Sequence, residues 1–438
     1  MVSTDPEKKV VDVYNPFEHR EVLKPNSDFR SLANLLKSSL GSGLLAIPLA
    51  FANSGWALGL VGTLVITFIC GHCVQIFVET SRACCRIERK PLLNYAETCR
   101  AAFANGPKPI RKFAYAARVF AECAMFLTYI GVCCIFTILI ADSIKQLFDT
   151  YYPIAILPVE YYCLILLVPI CLMCQIRHLK YLAPFSLLAN ILLLTTFIIC
   201  LYYIFEGEIS YTDKRIVGEA ARFPAFLSTV IFAIEGIGVV MPIENSMKTP
   251  EHFLGCPSVL VVAMTFIMVL YSALGLFGYF KYGDVLRGSI TLNLPLDHWP
   301  AICAKCFIAL SILFTYPLHF FVIIDLFTRH TTPHIPAKYQ NITQIFARIA
   351  IVCICGGIGV ALPMLEQIIN LVGALFYSIL GLITPGIIET IFRWEDLGRY
   401  NWILWKNIVI VLFGVCSLLS GCAVTISDII RKLNEKTI

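Results

Sequence analysis

The sequence predicts an all-α polytopic membrane protein of eleven transmembrane helices, ten of them related as a 5+5 inverted repeat with one extra helix. Three observations predict it. Of 438 residues, 58% are hydrophobic and only 14% charged, with a mean hydropathy of +0.77, whereas a soluble domain carries roughly 25% charged residues. Apolar runs recur along the whole chain, each of the roughly 20 residues that cross a hydrocarbon core as a helix, in place of the alternating segments of about 10 residues that mark a β-barrel. Finally, two of these runs share the same interruption, a Gly-x-Gly followed by a proline. The net charge of +5 is no nucleic-acid signal, because the basic residues cluster in a few loops; the partner implied by composition is the lipid bilayer.

Residues 1–30 form a polar tail without the short apolar region of a cleavable signal peptide, so the first span must serve for insertion. Within this tail Tyr14-Asn15-Pro16-Phe17 has the form of a tyrosine-type sorting signal. The first repeat, 31–205, comprises spans at 31–52, 56–80, 113–142, 157–176 and 181–205, with the Asn53-Ser54-Gly55 turn between the first two. The second repeat, 223–391, comprises 223–243, 256–281, 299–327, 342–362 and 365–391, with Pro363 dividing the last pair. The segment 402–438 holds the eleventh span, 402–427, and a short tail. Most of the 19 cysteines lie inside apolar runs and read as small hydrophobes; no Cys/His spacing fits a metal site.

With a cytoplasmic N-terminus, the cytoplasmic segments carry about 20 Lys and Arg and the opposite side about 8, the asymmetry that sets orientation. The loop after the second span supplies Arg82, Arg86, Arg89, Lys90, Arg100, Lys108, Arg111 and Lys112. Arg431, Lys432 and Lys436 in the C-terminal tail run against the rule. The one sequon, Asn341-Ile342-Thr343, falls on the cytoplasmic side and is expected to stay unglycosylated.

The first span carries Gly41-Ser42-Gly43 and Pro48, the sixth Gly236-Ile237-Gly238 and Pro242. Glycine weakens a helix and proline removes a donor, so both spans are expected to unwind in mid-membrane. Bare backbone groups in lipid cost several kcal/mol each, and are tolerated where a ligand satisfies them. The breaks lie five spans apart, an odd number, so the two halves enter the membrane from opposite sides, as in carriers that hold substrate between discontinuous helices. An amino acid zwitterion fits this frame. Its carboxylate is expected at the free amides around Gly41, Ser42 and Gly43. Its ammonium is expected near carbonyls released around Ile234 and Gly236, and Ser39, Ile237 and Gly238 are further candidates for the substrate site.

Ionisable residues within spans are candidates for function. Glu235 adjoins the second break, and His72 lies deep in the second span, where imidazole titrates near neutral pH; these are the candidate proton-coupling groups. Arg118 and Glu122, at i,i+4, are expected to pair. Asp142, Asp325 and Glu389 are expected at span ends, and Lys305 is expected to snorkel outward. No catalytic constellation is evident, so no enzyme is expected, and no cofactor beyond protons as coupling ion.

Six blocks carry a resemblance: Leu35-Leu36-Lys37 through Gly41-Ser42-Gly43-Leu44-Leu45 to Pro48; His72-Cys73; Gly131-Val132-Cys133-Cys134; Ser186-Leu187-Leu188-Ala189-Asn190; Glu235-Gly236-Ile237-Gly238 through Pro242 to Glu244-Asn245; and Ser289-Ile290-Thr291-Leu292-Asn293-Leu294-Pro295. In these the chain resembles the proton-coupled amino acid transporter family of the amino acid/auxin permease superfamily, in the style of an insect member. The resemblance implies a leucine-transporter-like fold of eleven helices and symport of protons with small neutral amino acids of the alanine, glycine and proline class. It also implies residence in the plasma membrane or a lysosomal, endosomal or vacuolar membrane, and nutrient-signalling partners in some members. It assigns proton coupling to His72. Two departures stand out: Ser39 replaces a frequent Asn, and Leu296, Asp297 and His298 follow the last block without the expected cysteine, so the family's outer disulfide is not expected. The alternatives are a sodium-coupled carrier or exchanger and, from another class, an amino-acid-sensing receptor with little flux.

Overall fold

The computed structural model describes residues 14–20, 25–151, 157–177, 179–207, 209–234 and 236–437. All named elements among these are helices, with one isolated backbone bridge between Asn26 and Met247. The first span is two helices, Asp28–Ser39 (α1) and Ser42–Ser54 (α2), meeting at 50° across Leu40 and Gly41. Trp56–Glu88 (α3) follows, then a short helix, Tyr95–Ala104 (α4). The first half continues with Ala114–Tyr151 (α5), Val159–Cys174 (α6) and Leu179–Phe205 (α7). The sixth span is again two helices, Phe223–Ile234 (α8) and Ile237–Asn245 (α9). After it come Val259–Tyr282 (α10), Trp299–Thr331 (α11) and Ala337–Ala361 (α12). Leu365–Leu371 (α13) passes through a π-helical stretch, Val372–Ile383, into Thr384–Phe392 (α14), and Trp402–Thr437 (α15) is last.

Among the described residues nine helices are long and apolar enough to cross a bilayer, and the bent α1–α2 pair makes a tenth. The sixteen residues of α6 span about 24 Å at 1.5 Å per residue, short of the roughly 30 Å of a hydrocarbon core. Several helices outrun their apolar stretch. α3 continues to Glu88, α5 to Tyr151 and α15 to Thr437, because hydropathy marks where lipid ends whereas adding residues to an existing helix needs no further nucleus. Both prolines lie inside helices, Pro48 in α2 and Pro242 in α9, so unwinding is confined to the glycine sites that precede them.

The basic loop after α3 is more ordered than its charge implies. Asn94 and Glu97 form a capping box that starts α4. Tyr95 then stacks on Phe77 at 4.4 Å and donates its hydroxyl to Leu380 O at 2.7 Å, tying α4 to α3 and the π-helical stretch. On this basic face the N-terminal segment is docked. Arg20 and Arg82 both pair with Glu244 at the end of α9, at 3.1 and 3.0 Å, and Glu244 is completely buried. Residues 16–19 form a turn, with the Phe17 ring beneath both guanidiniums. Asn26 exchanges backbone hydrogen bonds with Ser246 and Lys248, and Asp28 accepts from Thr249 and contacts His252.

Two ionisable groups are placed with named partners. Glu122 accepts from Arg118 at 3.1 Å, as the spacing predicts, and its other oxygen lies 2.9 Å from His330 Nε2. Lys305 does not snorkel. It is fully buried, because its face of α11 turns toward α5 and the 3-10 turn Ile290–Asn293, where Gln146 Oε1 and Thr291 O accept from Nζ at 2.5 and 2.9 Å.

Candidate substrate site

The first break is set by sequence. Ser39 ends α1, Leu40 leaves the helical region, and α2 restarts at Ser42 with Gly41 as its N-cap. No side chain caps α2 there, so its first-turn N–H groups lack intrahelical partners and carry the positive end of the helix dipole. In the sixth span α8 ends at Ile234 and α9 restarts at Ile237, with Gly236 as N-cap and no side-chain cap.

The two broken spans cross where they break. A Cβ on Gly43 would lie 2.7 Å from Ala233 Cα, so only glycine allows this approach. Tyr271, buried on α10, bridges the crossing: its hydroxyl lies against Ser39 O and 2.9 Å from Ala233 O, two carbonyls released by the helix ends. One phenolic proton thus serves two acceptors. Replacing Tyr271 by Phe leaves both carbonyls without it, and is expected to cost about 1–3 kcal/mol of stability, read as a lower thermal unfolding midpoint.

A cavity of about 580 Å³ lies at this crossing. Ser39, Gly41, Ser42 and Gly43 line it, as do Phe232 and Ala233 from α8 and Val239, Pro242 and Ile243 from α9. Tyr129, Val132 and Phe136 of α5, Asn190 and Leu193 of α7 and Tyr377 of the π-helical stretch complete the wall with α11. The lining continues toward the basic face through Asn34, Lys37 and Ser246, and Lys37 Nζ is held by Ser186 Oγ. The opposite face is cross-linked by loop contacts. There Gly218 N donates to Ser54 O at 2.6 Å and Trp56 N to Arg215 O at 3.1 Å, while Arg215 pairs with Glu219 and Asp284.

Of the residues read from sequence, Ser39, Gly41, Ser42 and Gly43 converge on this cavity. A Cβ on Gly41 would meet nothing within 4 Å, so this backbone faces open space. Ile234, Gly236, Ile237 and Gly238 lie behind the wall. The Ile234 carbonyl is 3.5 Å from Ser39 Oγ, the Gly236 carbonyl accepts from Val239 N at 2.9 Å, Ile237 is buried among apolar neighbours, and Gly238 packs under the Tyr129 hydroxyl. His72, on α3, is outside the lining; its Nε2 is buried with no hydrogen-bond partner among the described residues, and Lys406, Glu389 and Glu79 are charges around it. Glu235 lies outside the described residues.

Sequence reading missed His319. Its ring lies between Tyr129 and Phe136, at centroid distances of 5.9 and 5.0 Å, and forms part of the cavity wall. The signal was present: Ser311, Thr315 and His319 stand four residues apart on α11 and all three line the cavity, a polar stripe on an otherwise apolar helix.

Comparison with known proteins gives this geometry a lineage. The family model described as "Transmembrane amino acid transporter protein" matches residues 24–427. The chain is 38% identical over 419 residues to the "Proton-coupled amino acid transporter-like protein pathetic" of Drosophila melanogaster, covering 95% of this chain and 88% of that one. It is 23% identical over 423 residues to "Amino acid transporter AVT3C" of Arabidopsis thaliana, covering 92% and 91% of the two chains. Broken spans, a cavity at their crossing and matches along nearly the whole length converge on one conclusion: the chain belongs to the family of transmembrane amino acid transporter proteins.

Proposed function

We propose that this protein is a proton-coupled symporter of small neutral amino acids that works by alternating access. The observation that carries the reading is the uncapped start of α2 facing a cavity at the crossing of two broken spans. A carboxylate satisfies the free N–H groups of Gly41, Ser42 and Gly43. Among the described residues no Asp or Glu lines the cavity, so a cationic side chain would lie there unpaired, at high cost. Tyr129, Phe136, Phe232 and Tyr377 give the site aromatic walls that favour small apolar side chains.

In this reading the fold is a leucine-transporter-like 5+5 inverted repeat plus one helix. Spans 31–205 form the first repeat, with α6 as its short fourth crossing, and 223–391 the second, with α15 as the eleventh span. The Lys and Arg asymmetry favours a cytosolic basic face, so in this reading the cavity opens inward and the opposite face is outer. The resident membrane is the plasma membrane or a lysosomal or endosomal one. His72 and Glu235 are the proton-coupling candidates, and His319 is added as a group that can meet the substrate itself.

Uptake of labelled alanine, glycine and proline into proteoliposomes tests the reading. Accumulation is expected with an acid-outside gradient and with choline in place of Na⁺; accumulation that needs Na⁺, or ignores the proton gradient, overturns proton coupling. His319→Ala is expected to lower uptake about tenfold or more, roughly 1.4 kcal/mol of lost stabilisation. His72→Ala is expected to retain exchange while losing gradient-driven accumulation, and full accumulation by this variant would clear His72 of the role.

A further inference from the structure

Lys37 is a charged residue on the cavity wall to which the mechanism gives no task. It stands in the last turn of α1, four residues before Gly41, and lines the same cavity. A lysine at a helix C-terminus commonly turns its ammonium to the last carbonyls of its own helix. Lys37 reaches instead to α7, where Ser186 Oγ accepts from Nζ. Ser186 lies one turn from Asn190, another residue of the lining. The ammonium is also near enough to His319 of α11 to act on its ring by charge. A cation is thus tethered where α1, α7 and α11 meet the cavity. Lys37 is only half-buried, and an ammonium open to a cavity stays hydrated and charged at neutral pH, since loss of the proton needs deep desolvation.

Charge, more than size, can discriminate among substrates here. A volume of about 580 Å³ has room for side chains well beyond that of alanine. Among the described residues no Asp, Glu or Arg lines the cavity, and the remaining ionisable groups on the wall are His319, Tyr129 and Tyr377. Two features set the field: the uncapped start of α2, positive by its dipole, and the Lys37 ammonium. Low-dielectric aromatic walls concentrate such a field. It draws the substrate carboxylate to the amides of Gly41, Ser42 and Gly43, which leaves the substrate side chain within reach of the charge on Lys37. A neutral side chain is indifferent to that charge, and a cationic one is repelled.

We propose that Lys37 is the charge filter of the substrate site: tethered by Ser186, its ammonium admits amino acids with neutral side chains and turns away those with cationic ones. Lys37 is thus a specificity residue, separate from the proton-coupling candidates. The inference deepens the function proposed above and rests on the cavity being the amino acid site.

The test uses the full chain in proteoliposomes with equal, neutral pH on both sides. Homo-exchange of labelled alanine is competed by norvaline and by 2,4-diaminobutyrate, which carries an ammonium where norvaline has its terminal methyl. Protection of the purified protein against thermal unfolding is read with the same pair, so that a variant that binds without turnover still reports. The quantity compared is the ratio of the two inhibition constants, which a general loss of activity leaves alone. In the wild type diaminobutyrate is expected to compete at least about tenfold more weakly than norvaline. Lys37→Met is expected to narrow that gap to about threefold or less, and Lys37→Arg to keep it. An unchanged ratio in Lys37→Met would lay the discrimination on the want of a carboxylate alone and overturns the proposal, as does a gap lost in Lys37→Arg. Should Lys37→Met bind neither compound, Lys37→Gln takes its place; loss of both compounds there makes Lys37 a builder of the site and equally overturns the filter. Wild-type protein that takes diaminobutyrate as well as norvaline defeats the filter alone, whereas wild-type protein that binds neither alanine nor norvaline defeats the reading of the cavity as an amino acid site.

Discussion

Gly43→Ala is expected to reduce amino acid uptake by at least about tenfold while the protein remains folded. The methyl group would be placed 2.7 Å from Ala233 Cα, 3.1 Å from its Cβ and 3.3 Å from its carbonyl oxygen. Two of these three atoms are backbone, so no flexible side-chain tip can swing aside. α2 and α8 must separate, and overpacking of this kind costs about 1–3 kcal/mol, of which each 1.4 kcal/mol is a factor of ten in rate or population. The displacement falls on the crossing that Tyr271 bridges and on the amides that face the cavity. Gly357→Ala is the control. Its Cβ would meet nothing within 4 Å, and the position lies inside α12, where alanine favours the helix by about 0.5–1 kcal/mol. Uptake assays on both variants at matched membrane levels decide the matter; normal uptake by Gly43→Ala would mean that the crossing is not the site of transport.

Glu244→Ala is expected to lower folding stability by about 3–5 kcal/mol, the cost of stripping one partner from a buried ion group. Glu244 is completely buried, and Arg20 is nearly so, with 4% of its side chain exposed. Without the carboxylate, Arg20 and Arg82 face one another across the Phe17 ring with no counter-charge. Arg20→Ala is expected to cost less, because Arg82 still pairs with Glu244 at 3.0 Å. Thermal unfolding of the purified variants checks the order; an unfolding midpoint for Glu244→Ala equal to that of the wild type would remove the triad from the account of stability.

The helices were legible because lipid selects for apolar runs, and the breaks because only glycine serves where Gly43 meets Ala233. Gly41, Ser42 and Gly43, read from helix-end chemistry, line the cavity. In the other half, backbone hydrogen bonding uses the Gly236 carbonyl within α9, and Ala233 and Val239 line the cavity where Gly236 and Gly238 do not. Tertiary partners explain the remaining differences. Nothing local to Lys305 tells that Gln146, 159 residues away in sequence, will accept from it. α4 could have been found from Asn94 and Glu97, whose spacing is a helix-start signature, but the surrounding positive charge reads as loop. His319 was missed, although Ser311 and Thr315 stand on the same stripe of α11.

The Asn26 bridge has a mechanical consequence. α1 and α9 belong to two different spans, yet the segments next to them are joined by the hydrogen bonds of Asn26 to Ser246 and Lys248 and of Asp28 to Thr249. Such a joint makes the pair a single lever. On the alternating access proposed above, a swing of either helix would carry the other with it.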